Sequence, residues 1–323
     1  MISLQDVQEA HSRIREHVIK TPVMTSNTIN EMTNSEVFFK CENFQRVGAF
    51  KFRGALNAVS QLDEEQKTRG VVTHSSGNHA QALSLAASKL GVKATIVMPS
   101  NAPQVKVDAT RGYGASIVFC EPTVESRVYT ANELVKQHGY FLIHPYDNEQ
   151  IIAGAGTAAL ELVQEYGELD ALFCPIGGGG LISGTSIAVK GLSESTKVIG
   201  AEPKQADDAY RSIRDGKIYP SIKPNTIADG LRTSLAELTF NIISENVDEI
   251  VLVTETEIVD AMRLLWERMK LVVEPSGAVP LAALLSEGKR FQKQRIGVIL
   301  SGGNVDLSSF FENYYAMINS ESS

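Results

Sequence analysis

The chain has 323 residues, 43% apolar and 21% charged, with a net charge of −8 at pH 7. That length allows two lobes around a shared or split core. The acidic balance argues against a nucleic-acid partner, which needs a basic footprint. No apolar run reaches the roughly 18 residues that a membrane span requires, so no membrane partner is expected. The N-terminal stretch MISLQDVQEAHSRIREH carries acids and lacks an apolar core, so it does not read as a signal or transit peptide. Cys41, Cys120 and Cys174 are scattered and lack metal-ligand spacing. They suit a reducing cytoplasm and read as small buried apolar residues.

Short β-branched runs alternate with longer helical stretches along the chain. The pattern predicts a strand over 37–40 and a helix over 54–61, then a strand over 71–74 and a helix over 79–90. A strand over 94–98, a helix over 104–112, a strand over 116–120 and a helix over 125–138 follow. Next come a strand over 141–144, a helix over 157–166, a strand over 171–175 and a helix starting near residue 181. Strands over 198–201 and 250–254, a helix over 256–269 and a strand over 296–300 complete the series. Gly91, Gly139 and Gly167 stand where C-terminal helix caps belong. Residues 193–196 and 217–226 read as surface loops. The alternation implies an α/β protein with largely parallel sheets and helices on both faces. There are no repeats and no Pro/Gly-rich linker, so a second lobe would be an insertion within the first.

Ligands in such folds bind beyond the carboxyl ends of strands. Three predicted strand ends carry polar, glycine-bearing loops: Ser75-Ser76-Gly77-Asn78-His79, Gly177-Gly178-Gly179-Gly180 and Ser301-Gly302-Gly303-Asn304. Four glycines before a helix allow main-chain N–H groups to form an anion-binding nest, and phosphate is the natural guest. A flexible turn is the plainer reading. Lys51 lies between Phe50 and Phe52 at a predicted helix start. Both surroundings disfavour its charge and enrich the neutral amine that carbonyl chemistry needs. A surface lysine beside core aromatics is the alternative. Ser75 and Ser76 stand where helix N-caps or carboxylate-binding groups belong, and Ser76 would also exchange a proton. Glu202 and Asp208 are close in sequence and, with a loop carbonyl, would suit a hard cation; two solvated acids is the other reading.

Together these segments resemble the fold-type II pyridoxal 5′-phosphate (PLP) enzymes, in the serine racemase and serine/threonine dehydratase branch. The resemblance is carried by FFKCENFQRVGAFKFRGALNAV, VVTHSSGNHAQAL, ASIVFCEPTVESR, DALFCPIGGGGLISG, AEPKQADDAY, TIADG, LLWERMKLVVEPSGA and VILSGGNVDL. It covers most of the chain and is nearest to eukaryotic-type serine racemases. It implies a tryptophan synthase β-like fold, with two open, twisted, mostly parallel sheets in a large lobe (1–69 and 148–323) and a small mobile lobe (70–147).

The same resemblance implies that Lys51 binds PLP as a Schiff base and that Phe50 packs near the ring. Gly177, Gly178, Gly179 and Gly180 would hold the phosphate, Asn78 the ring hydroxyl and Ser301 the pyridine nitrogen. A neutral hydroxyl at that nitrogen makes a weaker electron sink than a carboxylate, which suits proton exchange and β-elimination. Ser75, Ser76, Asn78 and His79 would surround the substrate carboxylate, with Arg127 at the mouth. Lys51 and Ser76 would work on opposite faces of the substrate Cα. Glu202, the Ala206 carbonyl and Asp208 would hold Mg²⁺, Mn²⁺ or Ca²⁺. ATP activation and a cytoplasmic homodimer are further implications.

The expected activity is interconversion of L- and D-serine, with dehydration of serine to pyruvate and ammonia. The alternatives are a dehydratase of L-threonine or threo-3-hydroxyaspartate and, in another class, a PLP-binding regulatory protein. Two positions depart from the family pattern. Ala155 stands where glutamine is usual, and Tyr146-Asp147 resembles fungal hydroxyaspartate dehydratases more than mammalian-like racemases.

Overall fold

A computed structural model describes residues 2–75, 77–307 and 310–312. Among the described residues ten strands form two sheets. They are β1 (Val23–Met24), β2 (Glu36–Cys41), β3 (Val71–His74), β4 (Ala94–Pro99), β5 (Ser116–Cys120), β6 (Phe141–Leu142), β7 (Ala171–Pro175), β8 (Lys197–Pro203), β9 (Glu249–Val253) and β10 (Arg295–Leu300). The larger sheet has the order β1-β2-β10-β7-β8-β9, and the smaller β5-β4-β3-β6. All neighbours pair in parallel except β1, which runs antiparallel along β2. Helices cover both faces, so central strands read as continuous apolar runs, and all five residues of β7 are buried. This is the α/β architecture that the alternation implies. Among the described residues no helix is long and apolar enough to cross a membrane.

The smaller sheet draws all its strands from residues 71–142, between β2 and β7 of the larger sheet. The Lys51–Ser60 helix lies in the crease between them. Phe52, Ala55, Leu56 and Val59 join the core under the smaller sheet. Gly54, on the same helix, meets the Glu149–Tyr166 helix backbone to backbone: a Cβ there would lie 2.7 Å from the Ile151 carbonyl oxygen. One helix thus packs against both halves of the molecule.

The sequence pattern misplaces some element ends, for visible reasons. The helix predicted over 157–166 begins at Glu149, where the Asn148 side chain accepts from the Gln150 and Ile151 N–H groups. Two glycines, Gly154 and Gly156, lie within the part of this helix that the sequence pattern leaves out. They are where neighbouring helices cross, and a Cβ on Gly156 would sit 2.5 Å from the Gly184 carbonyl oxygen. Ala155 lies buried in the same core. The strand predicted over 141–144 stops at Leu142, because His144 turns to accept the Asp147 N–H at 2.9 Å. The helix predicted over 256–269 becomes a π turn at Leu265–Met269.

Gly184→Ala tests the tightest of these crossings, since its Cβ would lie 2.6 Å from the Gly156 nitrogen. Neither backbone can yield without moving a helix, so the expected loss of stability is about 3 kcal/mol, read by urea unfolding. A loss below about 0.5 kcal/mol, the range of neutral surface changes, would contradict this packing.

Candidate active site

The three polar loops converge at the crease. β3 delivers Ser75 and, after it, the Asn78–Lys89 helix; β7 delivers the glycines; β10 delivers Ser301. Ser76 lies outside the described residues. Lys51 is itself the first residue of its helix, which no side chain caps. The strand-like contact of Ala49 with Gly302, and the Phe50 N–H donated to the Ser301 carbonyl at 3.0 Å, hold the segment before it against the end of β10.

The Lys51 amine donates to the Pro145 carbonyl oxygen at 2.9 Å and stands 5.0 Å from the centre of the Phe50 ring. Lys51 is half-buried, and the loss of water around its amine lowers its pKa to about 8, although Glu274 pulls the other way. The residue after Pro145 leads directly to the glycine loop. A Cβ on Gly178 would collide with the Tyr146 ring, and one on Gly180 would approach the Tyr146 Cβ to 2.9 Å. Gly179 has φ +88°, a conformation that glycine adopts freely. Gly177 has no room for a side chain either, with the Gly230 carbonyl oxygen 2.8 Å from where its Cβ would stand. The Gly180–Leu192 helix has no side-chain cap. Among the described residues no acceptor meets the main-chain N–H groups of Gly178, Gly179 and Gly180. Bare N–H groups at a helix start suit a phosphate. The residues present therefore fit a small aldehyde with an anionic tail, the amine and the cradle sharing the Pro145–Tyr146 wall.

Glu274 belongs to this site and escapes the sequence reading. It is buried, and both its oxygens accept from the Asn78 side-chain amide, at 2.9 and 3.2 Å. The Asn304 N–H also reaches it, and the Asn304 side chain donates to Asn78 Oδ1 at 2.9 Å. Burial raises the Glu274 pKa to about 8, with Asp229 adding to the rise. The signal was an acid just before proline in the apolar stretch LVVEPSGA.

His79 and His144 stand close enough to the amine to feel its charge, and His74 and Tyr146 pack on His144. His79 is buried; its Nε2 lies 3.4 Å from the Ile143 carbonyl oxygen, and Nδ1 has no partner. Burial and then Lys51 hold its pKa well below the usual value. His144 packs edge-on against His74 and Tyr146, and burial lowers its pKa to about 4. All three imidazoles favour the neutral form, His74 again chiefly through burial. Burial lifts the Tyr146 phenol to about 12. The Ser75 hydroxyl accepts from the Gly77 N–H at 3.3 Å. Arg127 lies on the Val124–His138 helix with its Nε buried and unpartnered, close enough to depress the His74 pKa.

The carboxylates at the end of β8 form a separate corner. Glu202 accepts from the Ala209 and Tyr210 N–H groups at 3.0 and 2.9 Å, closing the start of the Asp208–Asp215 helix. Among the described residues no donor meets either Asp208 oxygen at full hydrogen-bond geometry; burial raises this acid to about 6, against the nearby Ser221 side chain, which lowers it. No cluster of three or more His, Cys, Asp or Glu side chains occurs among the described residues, so a cation here would draw on two carboxylates and the Ala206 carbonyl.

A half-buried amine and a bare N–H cradle that share the Pro145–Tyr146 wall, at the mouth of two mostly parallel sheets, suit a PLP-type site. The family profile described as "Pyridoxal-phosphate dependent enzyme" matches residues 14–302, and the chain belongs to that family. It is 53% identical to the serine racemase of Dictyostelium discoideum over 95% of this chain and 96% of that protein. It is 50% identical to the L-threo-3-hydroxyaspartate ammonia-lyase of Saccharomyces cerevisiae, over 94% of each. The structure of maize serine racemase superposes with a TM-score of 0.93 at 44% identity, covering 100% of this chain and 99% of that one.

The low pKa of Lys51 has a direct readout. Its acetylation by acetic anhydride, mapped by peptide mass spectrometry, is expected to rise with pH through a midpoint near 8. Exposed lysines would respond near 10.4. A Lys51 midpoint at that higher value would contradict the enclosed site.

Proposed function

We propose that the protein interconverts L- and D-serine and also eliminates the β-hydroxyl of serine, yielding pyruvate and ammonia. The carrying observation is the Lys51 amine, docked on the Pro145 carbonyl beside a glycine loop that Tyr146 touches. The similarity to the Dictyostelium serine racemase supports the substrate.

PLP, when bound, supplies an electron sink that makes the substrate Cα–H acidic. Main-chain N–H groups of Gly177, Gly178, Gly179 and Gly180 would hold its phosphate. Phe50 would pack beside the ring, and Asn78 and Ser301 would contact its edge. Lys51 would hold the cofactor, and its amine would remove or return the substrate Cα proton on one face. Ser76 serves the other face. Ser75, Asn78, His79 and Arg127 bind the substrate carboxylate end. Residues 70–147 form the smaller lobe, which closes over the substrate and keeps water out. Glu202, the Ala206 carbonyl and Asp208 would hold Mg²⁺ or a similar divalent cation, a reading supported by the buried, weakly partnered Asp208 carboxylate. The protein works in the cytoplasm as a homodimer; its three free cysteines suit a reducing compartment, and the dimer follows the family resemblance.

A second reading, dehydration of threo-3-hydroxyaspartate with little racemisation, is favoured by Tyr146. Its ring lies against the glycine loop, and the yeast ammonia-lyase is nearly as similar.

Incubation with L-serine, L-threonine and threo-3-hydroxyaspartate, followed by chiral amino-acid and keto-acid analysis, separates the readings. D-serine plus pyruvate is expected from L-serine; keto acid alone would select the second reading. Lys51→Ala is expected to abolish both outcomes. Ser76→Ala is expected to remove racemisation and spare elimination, and equal loss of both would remove Ser76 from the second face. Mg²⁺ is expected to raise the melting temperature of the wild type but not of Asp208→Asn. ATP added to the same assay tests the activation that the family resemblance implies.

A further inference from the structure

Two residues beyond Lys51, Arg53 is fully buried, among the largest fully buried side chains of the protein. Its Nε and one terminal nitrogen hold Glu42 at 2.8 and 2.9 Å. Its terminal nitrogens hold Glu161 at 2.7 and 2.8 Å and Thr157 at 3.2 Å. The Ile19 carbonyl takes a further contact at 3.3 Å. Buried Lys40 donates to Glu161 at 2.7 Å and to the Thr21 carbonyl at 2.8 Å. The Thr21 hydroxyl donates to Glu42 at 2.5 Å. Two cations and two carboxylates therefore balance in the interior, and the guanidinium fork is satisfied. A buried ionic group with every partner in place specifies geometry more than it adds stability.

The placement gives that specificity a target. Positions two apart on a helix point about 200° from one another. Lys51 therefore faces the cleft while Arg53 faces the core. The helix start has no side-chain cap. Its axial register must come from lateral contacts; Arg53 ties it to Thr157 and Glu161 of the Glu149–Tyr166 helix, and Asn57, near its other end, donates to the Gln150 carbonyl of that helix at 2.8 Å. The start of that same helix follows the Pro145 carbonyl on which the amine rests. The Gly154 and Gly54 backbones touch between the two helices: a Cβ on Gly154 would lie 2.7 Å from the Arg53 carbonyl oxygen and from Gly54 Cα. A slip of one turn along that contact would carry the amine about 5 Å from its acceptor.

We propose that Arg53 is a positioning residue for Lys51, locking its helix against the Glu149–Tyr166 helix so that the amine meets PLP and the substrate Cα at a fixed place. The inference rests on the proposed assignment of Lys51 as the PLP lysine.

The test compares Arg53→Lys with Thr21→Val. Arg53→Lys keeps the charge but loses the fork; Thr21→Val weakens the same network without touching the lysine's helix. Both are measured well below their melting temperatures. Arg53→Lys is expected to lose about tenfold in PLP affinity and about tenfold in kcat, with KM within about twofold, because misplacement acts on the reacting geometry. In cofactor-free protein its Lys51 acetylation midpoint is expected to rise from about 8 toward that of exposed lysines. Thr21→Val is expected to keep all of these near wild type despite a lowered melting temperature. Arg53→Lys with wild-type PLP affinity, kcat and midpoint would overturn the proposal. Thr21→Val losing as much as Arg53→Lys would do the same, since general destabilisation would then explain both. If Arg53→Lys does not fold, Thr157→Val, which removes one Arg53 partner, takes its place with an expected loss of about threefold. A wild type that takes up no PLP would end the functional reading alone, leaving the acetylation comparison to decide Arg53.

Discussion

A lysine amine that has lost much of its water donates to a single backbone carbonyl, that of Pro145, at 2.9 Å. Among the described residues no carboxylate neutralises it by direct contact; the one that influences it, Glu274, is itself buried and shifted toward its neutral form. An unpaired amine in such a place is costly as a cation and useful as a nucleophile. The elements around the crease serve this arrangement. The loop after β6 supplies the carbonyl, its next residue presses on the glycine loop, and β10 fixes the chain just before the lysine.

The two halves of the fold also meet through polar side chains near the amine. Asn78, at the start of a helix of the smaller half, bridges to Glu274 and Asn304 of the larger. Lys106 and Asp229 add a more exposed pair at 3.0 Å across the same divide. Exposed pairs of this kind contribute little to stability and can be exchanged cheaply. The larger half, by contrast, carries the saturated network of Arg53, Glu42, Glu161 and Lys40. Rigid support lies behind the lysine, and the weaker contacts lie across the opening.

Much of this was legible in the residues. The bounds of β3, β5 and β7 follow directly from β-branched runs ending in polar or glycine residues, and the composition of the glycine loop suggests an anion site beside the plainer reading of a flexible turn. What was not legible depends on tertiary proximity. Glu274 and Asn78 lie 196 positions apart, and nothing local in either joins them. Gly154 and Gly156 look like helix breakers until the helices they let approach are seen. Arg53 looks like half of an ordinary basic pair with Lys51, and only the folded chain turns one to the cleft and the other to the core. The two-residue strand β1 is too short to leave a periodic signal.

The account's central claim is a covalent bond between the Lys51 amine and the aldehyde of PLP. Its most direct measurement is borohydride reduction of the purified protein after incubation with PLP, followed by peptide mapping. A phosphopyridoxyl group confined to the peptide containing Lys51, with one group per chain, is the predicted result. Modification at another lysine in its place, or none at saturating PLP, would contradict the account.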